Sequence, residues 1–544
     1  MKRVLPLTAG LLLPVALIAQ DTENTDRDRS MIVGFLEDNL SGAGRDIRIE
    51  GFKGLLSSTA TMEELTIADE TGVWFTLRNA ELDWSRTALL AGRVEVTRIA
   101  AEEILFERLP ETSDEGIDVP DPEATPFALP DLPVSIDIGA IEAERVRLGA
   151  PVLKLGEAVE LSLTGSAKLA DGSGETNLQI ERIDSKEGQF AVVVSYDNDS
   201  DALDLDISLN EGAGGLISTL GNLPGSPPLS LTAQGAGPLD DFTADIALAT
   251  HGEDRLTGQI ALRADPDPDA PADTAAPRRF SADLSGDLTP LFSADYAQFS
   301  GPSSTLTAAG VSYPEGGFEL DRFALSTRTL SLVGSTTIGA DGWPSAFSVS
   351  GTLESPDDRP VLLPFGESRS MVQQADIIAK YDVTRGQSWS ANIDVSDYAQ
   401  DGLTIASARI GAQGTITQQS TATSTALGAI KARFGLTVQG LASDDPALQA
   451  SIGDAPALTG EVYWREGEPF LIQSLEARTD ATRASASGQI SGFDTGFEFT
   501  GTLGLDTPDL SRFAALSGLD LAGATSATAK GSISPLNGTF DIEA

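Results

Sequence analysis

The chain has 544 residues with 36 Lys and Arg against 81 Asp and Glu, a formal net charge of −45, so nucleic-acid phosphates and anionic membrane surfaces repel it. It has no cysteine and one histidine, which excludes a disulfide framework, thiolate chemistry and any multi-histidine metal site. With 54 Gly and only 6% aromatics, the composition suits many short strands joined by Gly, Asp and Pro turns, in one long repetitive object.

The first element, residues 1–20, is an export segment. Lys2 and Arg3 precede an apolar run from Val4 to Ala19 that contains Leu11, Leu12, Leu13, Val15, Leu17 and Ile18, and Gln20 to Glu23 is polar. The run is shorter than the roughly 20 residues of a comfortable span, and Pro6, Gly10 and Pro14 interrupt it, as in a signal cleaved after Ala19. Residues 31–110 then combine a helix with strands. Met31 to Leu40 places Ile32, Phe35, Leu36 and Leu40 on one helical face, after which Ile47 and Ile49, Leu65 and Ile67, and Val73, Phe75 and Leu77 alternate with polar neighbours at strand period. Ser85 reads as the N-cap of a helical turn through Ala91, and alternation resumes from Val94 to Phe106.

Residues 111–133 are acidic and carry Pro120, Pro122, Pro126, Pro130 and Pro133, the pattern of an extended connector. From residue 134 to 544 the strands return, with a solvated low-complexity loop at 264–277. The cleanest strand sets Leu203, Leu205, Ile207 and Leu209 against Asp204, Asp206, Ser208 and Asn210, one apolar face and one acidic. Similar strands are expected at Phe242–Leu248, Ile260–Leu262, Phe318–Leu325, Leu330–Val333, Phe347–Leu353 and Phe497–Leu505. Short helices are expected at Gly215–Leu220, Pro290–Phe299 and Leu510–Leu516, the last with Asp509 as cap and Gly518 as stop.

Chemistry-bearing motifs are few. His251 sits in a turn-like stretch, and Gly212 to Gly215 lacks the Lys-Ser/Thr ending of a phosphate loop. Asp197-Asn198-Asp199-Ser200-Asp201 has calcium-like spacing, but Ala202 stands where an EF-hand needs Gly, Ser208 where it needs Glu, and strands flank it, so a hairpin turn is the plainer reading. No catalytic residue, cofactor or metal is assigned, no carboxylate pair is singled out for hydrolysis, and no enzyme is expected.

The informative feature is an apolar strand face with few amphipathic helices to cover it. Such a face either closes on itself or holds something apolar. Leu203, Leu205, Ile207, Leu209, Phe242, Ile246, Phe497 and Phe499 are its candidate lining. Roughly 30 strands at about 4.8 Å would run on the order of 140 Å.

Several motifs carry a resemblance. Arg48 to Ser58, Leu65 to Asp69 with Gly72-Val73-Trp74, Leu82-Asp83-Trp84-Ser85, Leu231 to Leu239, Phe299 to Ser304, Ala340-Asp341-Gly342-Trp343-Pro344 and Leu510 to Leu516 resemble the N-terminal part of the TamB family of translocation and assembly module subunits. That family is similar to AsmA-like and bridge-like lipid-transfer proteins. The resemblance implies a mostly β fold: an elongated, curved, antiparallel-rich sheet folded into a U-shaped hydrophobic trough, with acyl chains inside and headgroups in water. It implies residues 1–20 kept as an inner-membrane anchor, with Lys2 and Arg3 on the cytoplasmic side and the bulk in the periplasm of a Gram-negative bacterium. It also implies an Omp85-family, TamA-like partner, with inner-to-outer-membrane phospholipid transport and outer-membrane protein or autotransporter assembly as the process. TamB proteins continue into a C-terminal β domain that is not present in this sequence, as expected of a fragment or a truncated gene. The rival reading is a secreted repetitive β adhesin, or a surface scaffold stabilised by calcium at Asp197, Asp199 and Asp201.

Overall fold

A computed structural model describes residues 46–54, 57–110, 129–130, 132, 134–266, 271, 275–357, 359–364, 369–418, 428–492, 497–535 and 538–543. The export or anchor segment with Leu11 to Ile18, the expected helix at 31–40, most of the 111–133 connector and part of the 264–277 loop lie outside the described residues. Among those described there are 28 strands, and no helix exceeds 7 residues or is long and apolar enough to cross a membrane.

The chain divides into two compact units, residues 1–117 with 133–167 and residues 118–132 with 168–544. In the first, β1 (Asp46–Glu50), β2 (Thr59–Asp69), β3 (Gly72–Trp84) and β4 (Arg93–Phe106) pair antiparallel in sequence order. The helical turn α1 (Arg86–Leu89) joins β3 to β4, and the Ser85 hydroxyl accepts from the Ala88 N–H at its start. β5 (Ser135–Leu148) runs parallel to β4. A parallel neighbour requires a crossover of about a dozen residues or more, which explains why the proline-rich connector falls between these two strands.

One face of this unit is apolar, with Leu65, Leu77, Ile104 and Val146 opposed across four strands. The other carries a ladder of alternating charge. Arg78 bonds Glu64 and Glu103, both at 3.0 Å, and Arg145 bonds Glu103 at 2.9 Å. The hydrogen bond from Arg78 holds the Glu103 carboxyl below its usual range. Solvent screens these exposed pairs, so the ladder serves strand register more than stability.

In the second unit the strands from Ser173–Arg182 to Gly538–Glu543 pair antiparallel in sequence order in an open, curved sheet, except that the short strand Val361–Leu362 pairs only with Met371–Asp382, which also pairs directly with Pro344–Glu354. The expected strands are present, and so are the three expected helical segments: α3 (Leu216–Leu220), α4 (Ala297–Ser300) after two 3₁₀ turns, and α6 (Ala514–Ser517) after the 3₁₀ turn Leu510–Phe513, α2 (Ala150–Leu153) belonging to the first unit. Asp509 caps as expected and Gly518 ends α6 at φ +68°. His251 and Gly252 form a two-residue hairpin turn with φ of 54° and 76°, the mirror-image geometry that matches strand twist. Two helices were not expected from sequence, α2 and α5 (Pro446–Ile452).

These segments expose a repeat. After Ala202–Glu211 comes α3; after four more strands, α4; after four more, the short strand Val361–Leu362; after four more, α5; and after four more, α6. Because four is even, antiparallel alternation brings every cap back to the same edge of the sheet. Several caps open with a polar residue before proline: Thr289-Pro290, Ser355-Pro356, Asp445-Pro446 and Thr507-Pro508. Proline lacks the N–H that a first helical turn leaves unpaired, and Asp445 shows the accompanying cap, accepting from the Ala447 N–H at 2.8 Å. Glu211 does the same for α3, accepting from the Ile217 N–H at 2.8 Å.

The capped edge also collects buried polar side chains, among them Glu211, Thr250, Arg255, Thr329, Ser355, Thr482 and Thr507. They bond one another or nearby backbone: Arg255 to the Thr250 hydroxyl at 2.8 Å, Thr482 to Thr507 at 3.0 Å, and Thr329 to the Phe299 carbonyl at 3.1 Å. Adjacent caps touch, since Arg512 donates to the Ala450 carbonyl of α5 at 3.0 Å.

Candidate functional site

Register turns the alternation of single strands into a continuous surface. Leu178, Val192, Ile207, Ala233, Ile246 and Gly258 stand opposite one another on six successive strands. The row continues through Leu284, Leu306, Leu325, Leu332, Gly351, Ile377 and Ile393. It runs on through Ile410, Leu436, Leu458, Ala477, Ala484, Leu505 and Ala527. No polar side chain interrupts it. The row beside it faces the other way and is polar: Asp206, Gln234, Asp245, Gln259, Asp283 and Thr307, with Gln259 donating to Asp245 at 2.7 Å.

Six of the eight lining residues expected from sequence fall together on this apolar face. Leu203, Leu205, Ile207 and Leu209 share it with Phe242 and Ile246 through the strand Leu229–Pro238 between them. Phe499 stands on the same face farther along, opposite Ile490 and Ile533. Phe497 precedes the strand Glu498–Thr507 and is 50% exposed, so the strand starts later than the sequence pattern suggests. Leu209, Phe242 and Phe499 are buried, whereas Leu203, Leu205, Ile207 and Ile246 are half-buried.

Burial is concentrated at the strand ends. Tyr196, Leu239, Phe242 and Ala244 cluster at the edge opposite the caps, and Phe299, Leu353, Val361 and Val372 cluster at the capped edge. Between them, among the described residues, no second layer covers the face. Ile260, Ile410 and Leu503 are 37%, 39% and 37% exposed on it.

Two contacts show local rolling toward the apolar side. Phe280 and Phe318 stack at 5.4 Å over Gly310 of the strand between theirs. A Cβ at Gly310 would come within 2.6 Å of the Phe280 ring, so the glycine makes room for it. The second contact reaches farther. Trp343 enters the strand Pro344–Glu354 and Trp464 stands on the apolar face of Ala457–Arg465, five strand steps away. On a flat ladder that separation is about 24 Å. The rings stack at 6.0 Å, and Gln418 bonds the Pro344 carbonyl at 3.2 Å beside them. This clasp gives a structural role to the Ala340–Pro344 motif, which the sequence shows only as a resemblance.

The Asp197–Asp201 stretch is a hairpin turn whose carboxylates point to different partners. Asp197 accepts from the Ser173 hydroxyl at 2.5 Å and the Ser200 hydroxyl at 2.7 Å, and Asp201 takes the Tyr196 hydroxyl at 2.5 Å and Arg278 at 3.1 Å. Among the described residues, no three His, Cys, Asp or Glu side chains group to hold an ion. Hydrogen bonds from Ser173, then Ser200, pull the Asp197 carboxyl down to about 2. Its ionised form therefore favours the folded hairpin; that contribution is complete above the ordinary value of 3.8 and is lost as pH falls through about 2. Carboxyl NMR titration of Asp197 is expected to give a midpoint near 2, and a midpoint near 3.8 contradicts these bonds.

No protein-family model, curated protein or solved structure matches the chain.

Proposed function

We propose that the second unit carries lipid acyl chains along its unbroken aliphatic row, with the sheet rolled around them as a trough. The observation that carries this reading is the row itself, which stays apolar across twenty successive strands and lies uncovered between two buried edges. Continuity is what transport demands. At about 0.8 kcal/mol per CH₂, a two-chain phospholipid leaving a membrane loses on the order of 25 kcal/mol unless the protein supplies an equivalent surface at every step. Twenty strands at about 4.8 Å provide on the order of 90 Å of such surface.

In this reading the protein is a non-enzymatic, TamB-like subunit of the Gram-negative envelope. It is held at the inner membrane by residues 1–20, or exported by them, with its bulk in the periplasm. It works with an Omp85-family, TamA-like outer-membrane partner in phospholipid transport and autotransporter assembly. The motifs quoted above support the family, and the aliphatic row favours lipid over protein as the direct cargo. Mass spectrometry of lipid extracted from the folded chain, beside a denatured control, is expected to find several phospholipids per chain. A folded chain carrying none contradicts the reading.

A further inference from the structure

Two hydrogen-bond donors stand side by side on the apolar face without a partner, the Tyr381 hydroxyl and the Trp389 indole N–H. The residues oppose each other directly on the strands Met371–Asp382 and Ser388–Gln400, on the same side as Ile377 and Ile393. Tyr381 is only 3% exposed, so water does not serve its hydroxyl. A buried donor with no acceptor destabilises the fold, and native proteins keep few of them.

The surroundings suit an apolar ligand that brings its own acceptor. Ala379, Ala391, Ala412, Gly414 and Ala432 pave the same face around the two donors with small residues. The indole edge lies over Gly414, where a Cβ would stand 2.9 Å from the ring nitrogen. Phe347 packs against Tyr381 with ring centres 5.6 Å apart, and the Trp343–Trp464 clasp spans these same strands. Trp389 is only half-buried, and a swing of its ring off Gly414 opens the pair to the face.

Charge narrows the acceptor. The next residue, Asp382, bonds Thr384 and pairs with Arg385, whose side chain is 87% exposed in the turn. Among the described residues of these and the adjoining strands, Lys380, Lys431 and Arg433 all stand on the opposite face from the donors. A buried phosphate would need a cation, and Asp382 would repel it. A neutral carbonyl needs only the two donors.

We infer that Tyr381 and Trp389 form a polar station in the aliphatic path, donating hydrogen bonds to the ester carbonyl of a diacyl lipid whose chains lie over the alanine floor. This rests on the acyl-chain reading and adds to it a chemical preference, ester-linked over ether-linked lipid.

The test incubates the full chain with vesicles of dioleoyl phosphatidylcholine or of its diether counterpart, which lacks the carbonyls, and measures lipid retained per chain after the vesicles are removed. With lipid limiting at about one per chain, so that the tightest position fills first, wild type is expected to retain the ester lipid about five- to tenfold better than the ether. Tyr381→Phe and Trp389→Phe are expected to bring that ratio to about one while still retaining ether lipid. Tyr381→Phe is also expected to raise the Tm of the lipid-free chain, because it removes an orphaned donor. Equal retention of the two lipids by wild type, a preference that survives both substitutions, or a lower Tm for Tyr381→Phe overturns the inference and leaves the acyl-chain reading standing. Retention of neither lipid by wild type removes that reading, and the station with it.

Discussion

Ile410→Asp is expected to cost the chain the lipid that lies across mid-row, about one of the several it carries, while leaving it folded. Ile410 lies in mid-row between Ile393 and Leu436 and is 39% exposed, so an aspartate there keeps part of its hydration in the empty protein. The stability cost is therefore expected near the ordinary value for a point change, about 1 kcal/mol. Covering that carboxylate with an acyl chain removes the hydration without supplying a partner, at a cost of several kcal/mol. Two comparisons make the outcome readable. Ile378→Asp lies on the opposite face, at 45% exposure, and is expected to keep its lipid. Phe242→Ala removes a buried ring from the edge cluster and is expected to cost about 3–5 kcal/mol of stability instead. Lipid per chain beside thermal melts separates the three. Equal lipid loss from Ile410→Asp and Ile378→Asp contradicts the assignment of the face.

Removal of residues 304–370, four strands and their cap, is expected to leave a chain that folds cooperatively and carries about one-fifth less lipid. Stability in a stacked repeat is approximately a sum of unit and nearest-neighbour terms, so excising one whole unit rejoins like to like. The strand Met371–Asp382 would then follow the α4 cap as Ser304–Ser312 does now, and the aliphatic row would continue from Leu284 to Ile377. Removal of residues 304–329 alone is expected to fail. It would set two caps only two strands apart, although Phe299 of α4 and Val361 already touch at a spacing of four. Circular dichroism, proteolysis and lipid content read both deletions. A whole-unit deletion that aggregates like the half-unit deletion contradicts the repeat.

The strands were legible because each alternates strongly on its own: Leu203 to Leu209 is bounded by the strand Ala202–Glu211. Local capping chemistry was legible for the same reason, at Ser85 and Asp509. Register was not. Alternation says that each strand has an apolar side, but whether Ile207 faces Ala233 or its polar neighbour depends on turn geometry between strands. The four-strand period was hidden because its caps differ in sequence and structure, a helix at α5 and a two-residue strand at Val361–Leu362, and share little beyond a polar residue before proline. The Trp343 clasp depends on the roll of the sheet and the Tyr381–Trp389 pair on the register of two neighbouring strands, and alternation within a single strand announces neither.

Photolabelling with a phospholipid that carries a diazirine in its acyl chain tests the central claim most directly. Exposure alone does not distinguish the two faces, since Val333 and Ile378 on the polar side, at 48% and 45%, are more accessible than Ile260 and Ile410, at 37% and 39%. The account predicts adducts at Ile260, Ile410 and Leu503 and none at Val333 or Ile378. Equal labelling of both faces, or labelling that follows exposure, contradicts it.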